Sequence, residues 1–131
     1  MTRQAIIDFC LTFQFAYEDY PFDGVADKDE HATAVMRHRV NKKSFALIMR
    51  RGGDLYLNLK CDPFEADFLR GAFDGVKPAY HMNKRHWNTV VIGSDVPDGE
   101  IKRQIAQSYD LIKPKEKTRK TRIETIGGSE R

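Results

Sequence analysis

The chain has 131 residues, a formal net charge of +3 and a hydrophobic fraction of 40%, which suits one domain of ordinary size. It contains no run of about 18 apolar residues, so the sequence predicts no membrane span. Asp8 interrupts the opening segment where a secretory leader would be continuously apolar, and Cys10 and Cys61 lack the spacing of a disulfide framework. We therefore expect a cytoplasmic protein with reduced thiols.

The positive charge is concentrated at the end of the chain. Residues 113–131 hold seven Lys or Arg and three Glu, a net charge of +4, which leaves the first 112 residues at −1. Apolar periodicity also ends near Lys113, so the sequence predicts a domain over residues 1–113 and a basic, disordered tail over residues 114–131. Binding of nucleic acid by the domain must then depend on local basic clusters.

The first half of the chain predicts one helix followed by three strands. Thr2 is placed to cap a helix that continues to about Thr12. Residues 17–24 are punctuated by proline and glycine, which is typical of a loop. Period-two alternation and short turns then predict an antiparallel meander with strands over residues 34–40, 45–49 and 55–60.

The second half begins with the best local signature of a helix. Asp62, Pro63 and Glu65 supply an N-cap, a first-position proline and a third-position acid. We expect this helix to bury a stripe of four apolar residues, namely Phe64, Phe68, Leu69 and Ala72.

Two strands, over residues 76–80 and 87–92, and a last helix from near Pro97 complete the prediction. The last helix is expected to bury Ile101, Ile105, Tyr109 and Ile112. The predicted order is α-β-β-β-α-β-β-α. This order favours a single-domain α+β fold whose mostly antiparallel sheet is covered by helices on one face.

Three motifs carry a resemblance to a known family. They are the segments 60–63 (KCDP), 80–87 (YHMNKRHW) and 108–111 (SYDL), and the core Asn83-Lys84-x-His86-Trp87 is the most specific. In order and spacing they resemble the MmcQ/YjbR family of small bacterial proteins, over roughly residues 1–113. The resemblance implies a compact fold with an antiparallel sheet, and DNA binding through a "double-wing" surface of loops and hairpins. It implies no catalytic residue and no cofactor.

The segment around Trp87 has two interpretations. In the first, Lys84 and Arg85 neutralise phosphates, Asn83 reaches phosphates or base edges, and His86 and Trp87 stack or hydrogen-bond. In the second, Trp87 begins a strand and fills the core, His86 bonds a backbone group and Asn83 stabilises the turn. Both interpretations stay open.

Other basic residues lie at the two turns of the meander. Lys42 and Lys43 occupy the first turn, and Arg50 and Arg51 the second. If these turns lie beside the 84–85 pair, they form a two-pronged positive surface for duplex DNA. The alternative is protection of strand ends against aggregation.

A different function class is also open: a protein-interaction or small-ligand module whose open sheet face is lined by Tyr56, Tyr80 and Trp87. Enzyme chemistry is not expected. His81 has no neighbouring set of ligands that would complete a metal site, and an acidic neighbour raises the pKa of Cys61. We therefore predict no catalytic residue, metal or cofactor, while the pattern indicates no particular oligomeric state.

Overall fold

The computed structural model describes residues 1–22 and 31–115, and residues 116–131 of the predicted tail lie outside the described residues. The described chain forms three helices, α1 (Arg3–Leu11), α2 (Pro63–Ala72) and α3 (Asp98–Ile112). It also forms six strands, β1 (Ala16–Asp19), β2 (Ala34–His38), β3 (Ser44–Arg51), β4 (Asp54–Lys60), β5 (Val76–Pro78) and β6 (Trp87–Val91). None of the three helices is long and apolar enough to cross a bilayer.

The strands form one antiparallel sheet in the order β1-β2-β3-β4-β6-β5, which confirms the α+β fold class. The predicted order omitted β1, because residues 17–24 were expected to form a loop. Ala16 to Asp19 instead pair with His38 to Val35 of β2. All four residues of this edge strand are half-buried, so they carry no alternation that would reveal a strand.

The three helices pack on one face of the sheet and build a single core. Alternate residues of the central strands, such as Ile48, Leu57 and Val90, are fully buried against α1 and α3. The predicted inward residues of α3, listed above, are all buried as expected. The opposite side chains of the same strands point to the other face, which no described helix covers, because successive residues of a strand alternate between faces.

The start of α2 is as predicted, but its buried side is not. The Asp62 carboxylate accepts a hydrogen bond from the Glu65 N–H at 3.2 Å, and Pro63 occupies the first turn. Phe64 is 88% exposed and Phe68 is 68% exposed, whereas Ala66 and Leu69 are buried. The predicted stripe is confirmed at Leu69 and wrong at Phe64, Phe68 and Ala72, which are exposed, because it followed the most apolar residues and the helix instead turns Ala66 and Leu69 to the core.

Two features of the sheet border are specified by glycine and proline. β3 and β4 are joined by a tight hairpin turn in which Gly52 and Gly53 have φ angles of 55° and 91°, a conformation that favours glycine. β5, at one edge of the sheet, has only three residues and ends in Pro78, which has no N–H to donate.

Candidate functional site

The basic turns of the meander lie at opposite ends of the sheet. Lys42 and Lys43 precede the first residue of β3, and Arg50 and Arg51 end the same strand. Arg50 lies seven positions after Lys43, a distance of about 23 Å at a rise of about 3.3 Å per residue. The two basic turns therefore cannot meet one short ligand together.

The loop between β5 and β6, residues 79–86, lies at the same end as Lys42 and Lys43. Trp87 pairs with Lys60, the last residue of β4, and β4 runs antiparallel to β3. Lys84 and Arg85 are exposed, and within the described residues neither forms an ion pair. The structure thus brings Lys42, Lys43, Lys84 and Arg85 to one end, called here the basic end, and separates Arg50 and Arg51 from them.

Two further basic side chains of the strands are already engaged. The Arg37 Nε atom lies 2.8 Å from a carboxylate oxygen of Asp19. The Arg39 guanidinium lies 5.4 Å from the centre of the Tyr17 ring. Both contacts link β1 to β2 and the residues after it, so these cations support the edge of the sheet.

The motif residues Asn83 to Trp87 hold the loop together. The Asn83 side-chain oxygen accepts the Arg85 N–H at 3.0 Å, which is the turn-stabilising contact of the second interpretation. The His86 N–H donates to the Asn83 carbonyl, and the His86 carbonyl accepts the Cys61 N–H at 2.7 Å. Trp87 begins β6 and is half-buried on the open face. The Lys84 Nζ atom lies 5.0 Å from the centre of the Tyr80 ring.

Arg70, which the sequence interpretation did not single out, fastens this loop to α2. Its Nε atom donates to the Asn88 side-chain oxygen at 2.7 Å, and its Nη2 atom donates to the Lys84 carbonyl and, at 3.4 Å, to the Trp87 carbonyl. Asn88 in turn donates to the Ala66 carbonyl at 3.3 Å. A single guanidinium therefore fixes the position of the loop from the helix side of the sheet.

On the other side, the loop folds over the open face. The Asn58 Nδ2 atom lies 3.5 Å from the sulfur of Met82, and Thr89 donates its hydroxyl proton to Asn58 Oδ1 at 2.5 Å. Asn58 and Thr89 point away from the helices, yet they are only 7% and 9% exposed. Their burial on the open face follows from the loop, which stands beside them as a wall.

The loop and the sheet together enclose a cleft of about 640 Å³ on the open face, called here the sheet-face cleft. Its floor is made by β3, β4 and β6, and its walls come from β5, from residues 80–82 and from Phe22 and Thr33 on the opposite side. The lining residues are Phe22, Thr33, Leu47, Met49, Arg51, Tyr56, Asn58, Lys77, Pro78, Tyr80, His81, Met82 and Thr89. Tyr56 and Tyr80, expected on such a surface, line the cleft, whereas Trp87 does not.

The cleft could be predicted only in part from the sequence. Alternation in β4 predicts that Tyr56 and Asn58 share one face, and both lie on the open face. Nothing in the pattern showed that Met82 would fold back on Asn58, because that contact joins residues 24 positions apart through an irregular loop. Lys77 and Thr89 were not singled out, because the sequence does not give the register that pairs them across β5 and β6.

The two thiols and the possible metal ligands give no sign of a reactive site. Burial raises the pKa of the Cys61 thiol to about 11, with Glu65 and Asp62 adding to the effect, so the expected influence of the acidic neighbour has the right direction. Burial also raises the pKa of Cys10 to about 12. Across residues 1–22 and 31–115, no three His, Cys, Asp or Glu side chains are grouped so that they could hold a metal ion.

The comparisons with known proteins agree with the family resemblance noted in the sequence. A family model described as YjbR matches residues 11–111. The chain belongs to the YjbR family. It is 37% identical to the uncharacterized protein YyaQ of Bacillus subtilis, over 86% of this chain and 99% of that protein. It is 28% identical to the uncharacterized protein YjbR of Escherichia coli, over 83% of this chain and 85% of that protein.

Solved structures share the fold of this YjbR-family chain. A crystal structure of a Pseudomonas syringae protein has a TM-score of 0.72 and 32% identity, over 86% of this chain and 100% of that one. A crystal structure of a Deinococcus radiodurans protein has the same TM-score and identity, over 85% of this chain and 78% of that one. These names and titles state no ligand or reaction, so the comparisons establish family and fold.

Proposed function

We propose that this YjbR-family protein is a binding module that holds a small organic molecule in the sheet-face cleft and catalyses no reaction on it. One observation carries the proposal: loop 79–86 is fixed on both sides of the sheet and turns an open sheet face into a walled cleft. A volume of about 640 Å³ falls within the range of about 300–1,000 Å³ that is usual for small-molecule sites. Apolar and aromatic walls with a few inward polar groups are also typical of such sites.

The proposal includes a cytoplasmic location. Cys10 and Cys61 are both free and buried, which fits a reducing compartment. Neither cysteine lies in the cleft lining, so neither is assigned a part in binding.

A substitution that fills the cleft tests the proposal. Leu47 lies on the floor, and Leu47→Trp should occupy the space that a ligand needs while leaving the core unchanged. The matched control is Leu111→Trp, because Leu111 is an exposed residue of α3 on the other side of the sheet. The probe is 8-anilinonaphthalene-1-sulfonate, and binding is followed by amide chemical shifts in nuclear magnetic resonance.

The proposal expects shifts centred on the amides of Leu47, Asn58, Met82 and Thr89, which are retained in the control and lost in Leu47→Trp. Shifts spread over the helices, or unchanged binding by Leu47→Trp, would contradict it.

A second candidate function is contact with duplex DNA through the basic end. The supporting observation is that four exposed cations from two separate loops, Lys42, Lys43, Lys84 and Arg85, lie at one end of the sheet without ion pairs among the described residues. If all four contact phosphates, the logarithm of affinity should fall with the logarithm of salt concentration with a slope of about −4. Arg50 and Arg51 lie at the opposite end of the sheet and are not part of the basic end.

This separation supplies a matched experiment. Lys84→Glu with Arg85→Glu changes the charge by the same amount as Arg50→Glu with Arg51→Glu, but at the opposite end of the sheet. Fluorescence anisotropy of a labelled 20-base-pair duplex with the full chain should show weaker binding only for the first pair. Equal losses from both pairs would indicate an effect of total charge, and would reject the basic end as a DNA site.

A further inference from the structure

We propose that the ligand of the sheet-face cleft is an amphipathic organic anion, with an apolar or aromatic body and a compact carboxylate-like head. This inference rests on the proposed function and adds the chemical class and the orientation of the ligand. It is carried by the division of the cleft into an apolar half and a polar, positively charged half.

The apolar half lies over the central strands. Leu47 and Met49 of β3 and Tyr56 of β4 form the floor, and all three are half-buried. Phe22 stands on one wall, and its side chain is 67% exposed although it is large and apolar. A ligand body that covered these groups would remove apolar surface from water, which contributes about 25 cal/mol per Å².

The polar half lies in one row across the sheet. Lys77, Thr89 and Asn58 are successive cross-strand partners in β5, β6 and β4. The Asn58 Nδ2 atom carries two protons, of which one is directed at the Met82 sulfur, a weak acceptor. The second proton has no acceptor among the described residues and is available to an acceptor on a ligand.

The charges around this row favour an anion. The lining residues include Lys77 and Arg51 and no Asp or Glu. Arg51 ends β3 at the hairpin, four residues beyond Leu47 and away from the row that contains Asn58 and Thr89. Lys77 pairs in register with Thr89 and forms no ion pair within the described part of the chain. Lys77 is therefore the cation that is best placed to meet a ligand head.

Lys77 also lines a second hollow, together with Asp74, Asp95, Gly75 and Ser94. The Asp95 carboxylate is occupied there, because it accepts the N–H groups of Asp74 and Gly75 at 2.8 Å each. Neither Asp74 nor Asp95 is within ion-pair distance of Lys77. Lys77 therefore borders both hollows and, within the described residues, is joined by a salt bridge to no carboxylate in either.

These contacts give the ligand a direction. Its head lies between Lys77 and Asn58, where a charge-assisted hydrogen bond and an amide donor meet an acceptor oxygen. Its body extends from there across Tyr56 and Met49 toward the hairpin end of β3. A cationic head in the same position would be repelled by Lys77, and a neutral head would lose the charge-assisted contact.

Three soluble compounds of matched size test the inference: 4-phenylbutanoate, 4-phenylbutanamide and 4-phenylbutylamine. Each is titrated into the full chain and followed by amide chemical shifts of the cleft residues. We expect the carboxylate to bind at least about tenfold more tightly than the amide, and the amine to bind least. Lys77→Gln should reduce the affinity for the carboxylate about tenfold and leave the affinity for the amide unchanged.

Lys60→Gln is the control variant, because Lys60 lies on the same face but outside the lining of the cleft. It should leave all three affinities unchanged. Equal binding of the three compounds at the cleft would overturn the anion preference and keep the cleft as a binding site. No cleft shifts with any compound, together with none from 8-anilinonaphthalene-1-sulfonate, would overturn this inference and the proposed function together.

Discussion

Thr89 and Asn58, on neighbouring strands β6 and β4, share a buried hydrogen bond of 2.5 Å on the face of the sheet that carries no described helix. Thr89→Val keeps the shape of the side chain and leaves Asn58 Oδ1 without its donor. We expect a loss of about 1–3 kcal/mol in the free energy of unfolding, because a buried acceptor loses its partner. Urea denaturation of both proteins measures this loss.

The control is Thr12→Val, because the Thr12 hydroxyl lies at the exposed end of α1, where water can replace its bond to the Phe9 carbonyl. Its effect should stay within about 0.5 kcal/mol. Equal effects of the two substitutions would show that the bond between Thr89 and Asn58 is no more buried than a surface contact.

Arg70→Met tests whether one guanidinium holds loop 79–86. The substitution keeps the apolar stem and removes the donors to the Lys84 and Trp87 carbonyls and to Asn88. We expect a loss of about 1.5–3 kcal/mol, the range for hydrogen bonds to charged groups. Hydrogen exchange of the Met82 and His86 amides should accelerate more than that of the core strands. Arg85→Met is the control, and accelerated exchange there too would weaken the role assigned to Arg70.

Substitution by alanine should change the stability of the protein in opposite directions at Gly75 and at Gly71. A methyl group at Gly75 would collide with the Ser94 hydroxyl, so Gly75→Ala should cost about 1–3 kcal/mol of stability. Gly71 lies within α2 with no atom near the position of a new methyl group, so Gly71→Ala should stabilise the protein by about 0.5 kcal/mol. Thermal and urea unfolding of both variants measure these changes in stability. A stabilising effect of Gly75→Ala would contradict the close approach of Gly75 to Ser94.

The stability of the protein should depend on the Asp95 carboxylate in acid. The N–H groups of Asp74 and Gly75 hold the pKa of Asp95 below its usual range. The lower pKa in the folded state means that this stabilisation is present above the unfolded-state pKa, about 3.9, and is lost as the pH falls through the folded-state pKa. Asp95→Asn should therefore be less stable than the parent at pH 7, and the difference should shrink below about pH 4.

Melting temperatures measured from pH 7 to pH 3 follow this difference. Asp74→Asn is the control. It removes a neighbouring carboxylate that takes no part in these bonds, and it keeps the Asp74 N–H that Asp95 accepts. Its difference from the parent should not follow the same course. If the difference in melting temperature between Asp95→Asn and the parent did not change with pH, the effect of the substitution would come from packing and not from the charge of Asp95.

The exposure of Phe64 and Phe68 leads to a prediction opposite to the one drawn from the sequence. Because both side chains are largely in water, the double change Phe64→Ala and Phe68→Ala should alter the free energy of unfolding by no more than about 0.5 kcal/mol for each position. Leu69→Ala, one position further along α2, should cost about 2–5 kcal/mol, because Leu69 is buried. A large loss of stability in the double variant would show that Phe64 and Phe68 are buried, as the sequence predicted.

The sequence was sufficient for elements that have a strong period or a clear cap. Thr2 and Asp62 cap α1 and α2 as predicted, and the inward residues of α3 follow a regular helical period. The α+β class and the antiparallel sheet followed from the same signals. These features depend on residues close together in the chain, which is why the pattern could reveal them.

The features that were missed depend on contacts between distant residues. β1 is recognisable only by its pairing with β2, since its own side chains show no alternation. Arg70 meets the loop 14 and 17 positions later, and no spacing rule links a helix guanidinium to those carbonyls. The cleft depends on the same loop. The sequence could therefore supply Tyr56 and Tyr80 as candidates, but not the position of residues 80–82 beside the sheet.

The short edge strand β5 limits how this sheet can associate with another chain. A flat edge with free N–H and C=O groups can recruit a further strand and so start an ordered aggregate. With three residues and a terminal Pro78, this border offers too few donors for an incoming segment to add itself by backbone pairing. Growth of the sheet in that direction, and with it fibril formation seeded there, is disfavoured.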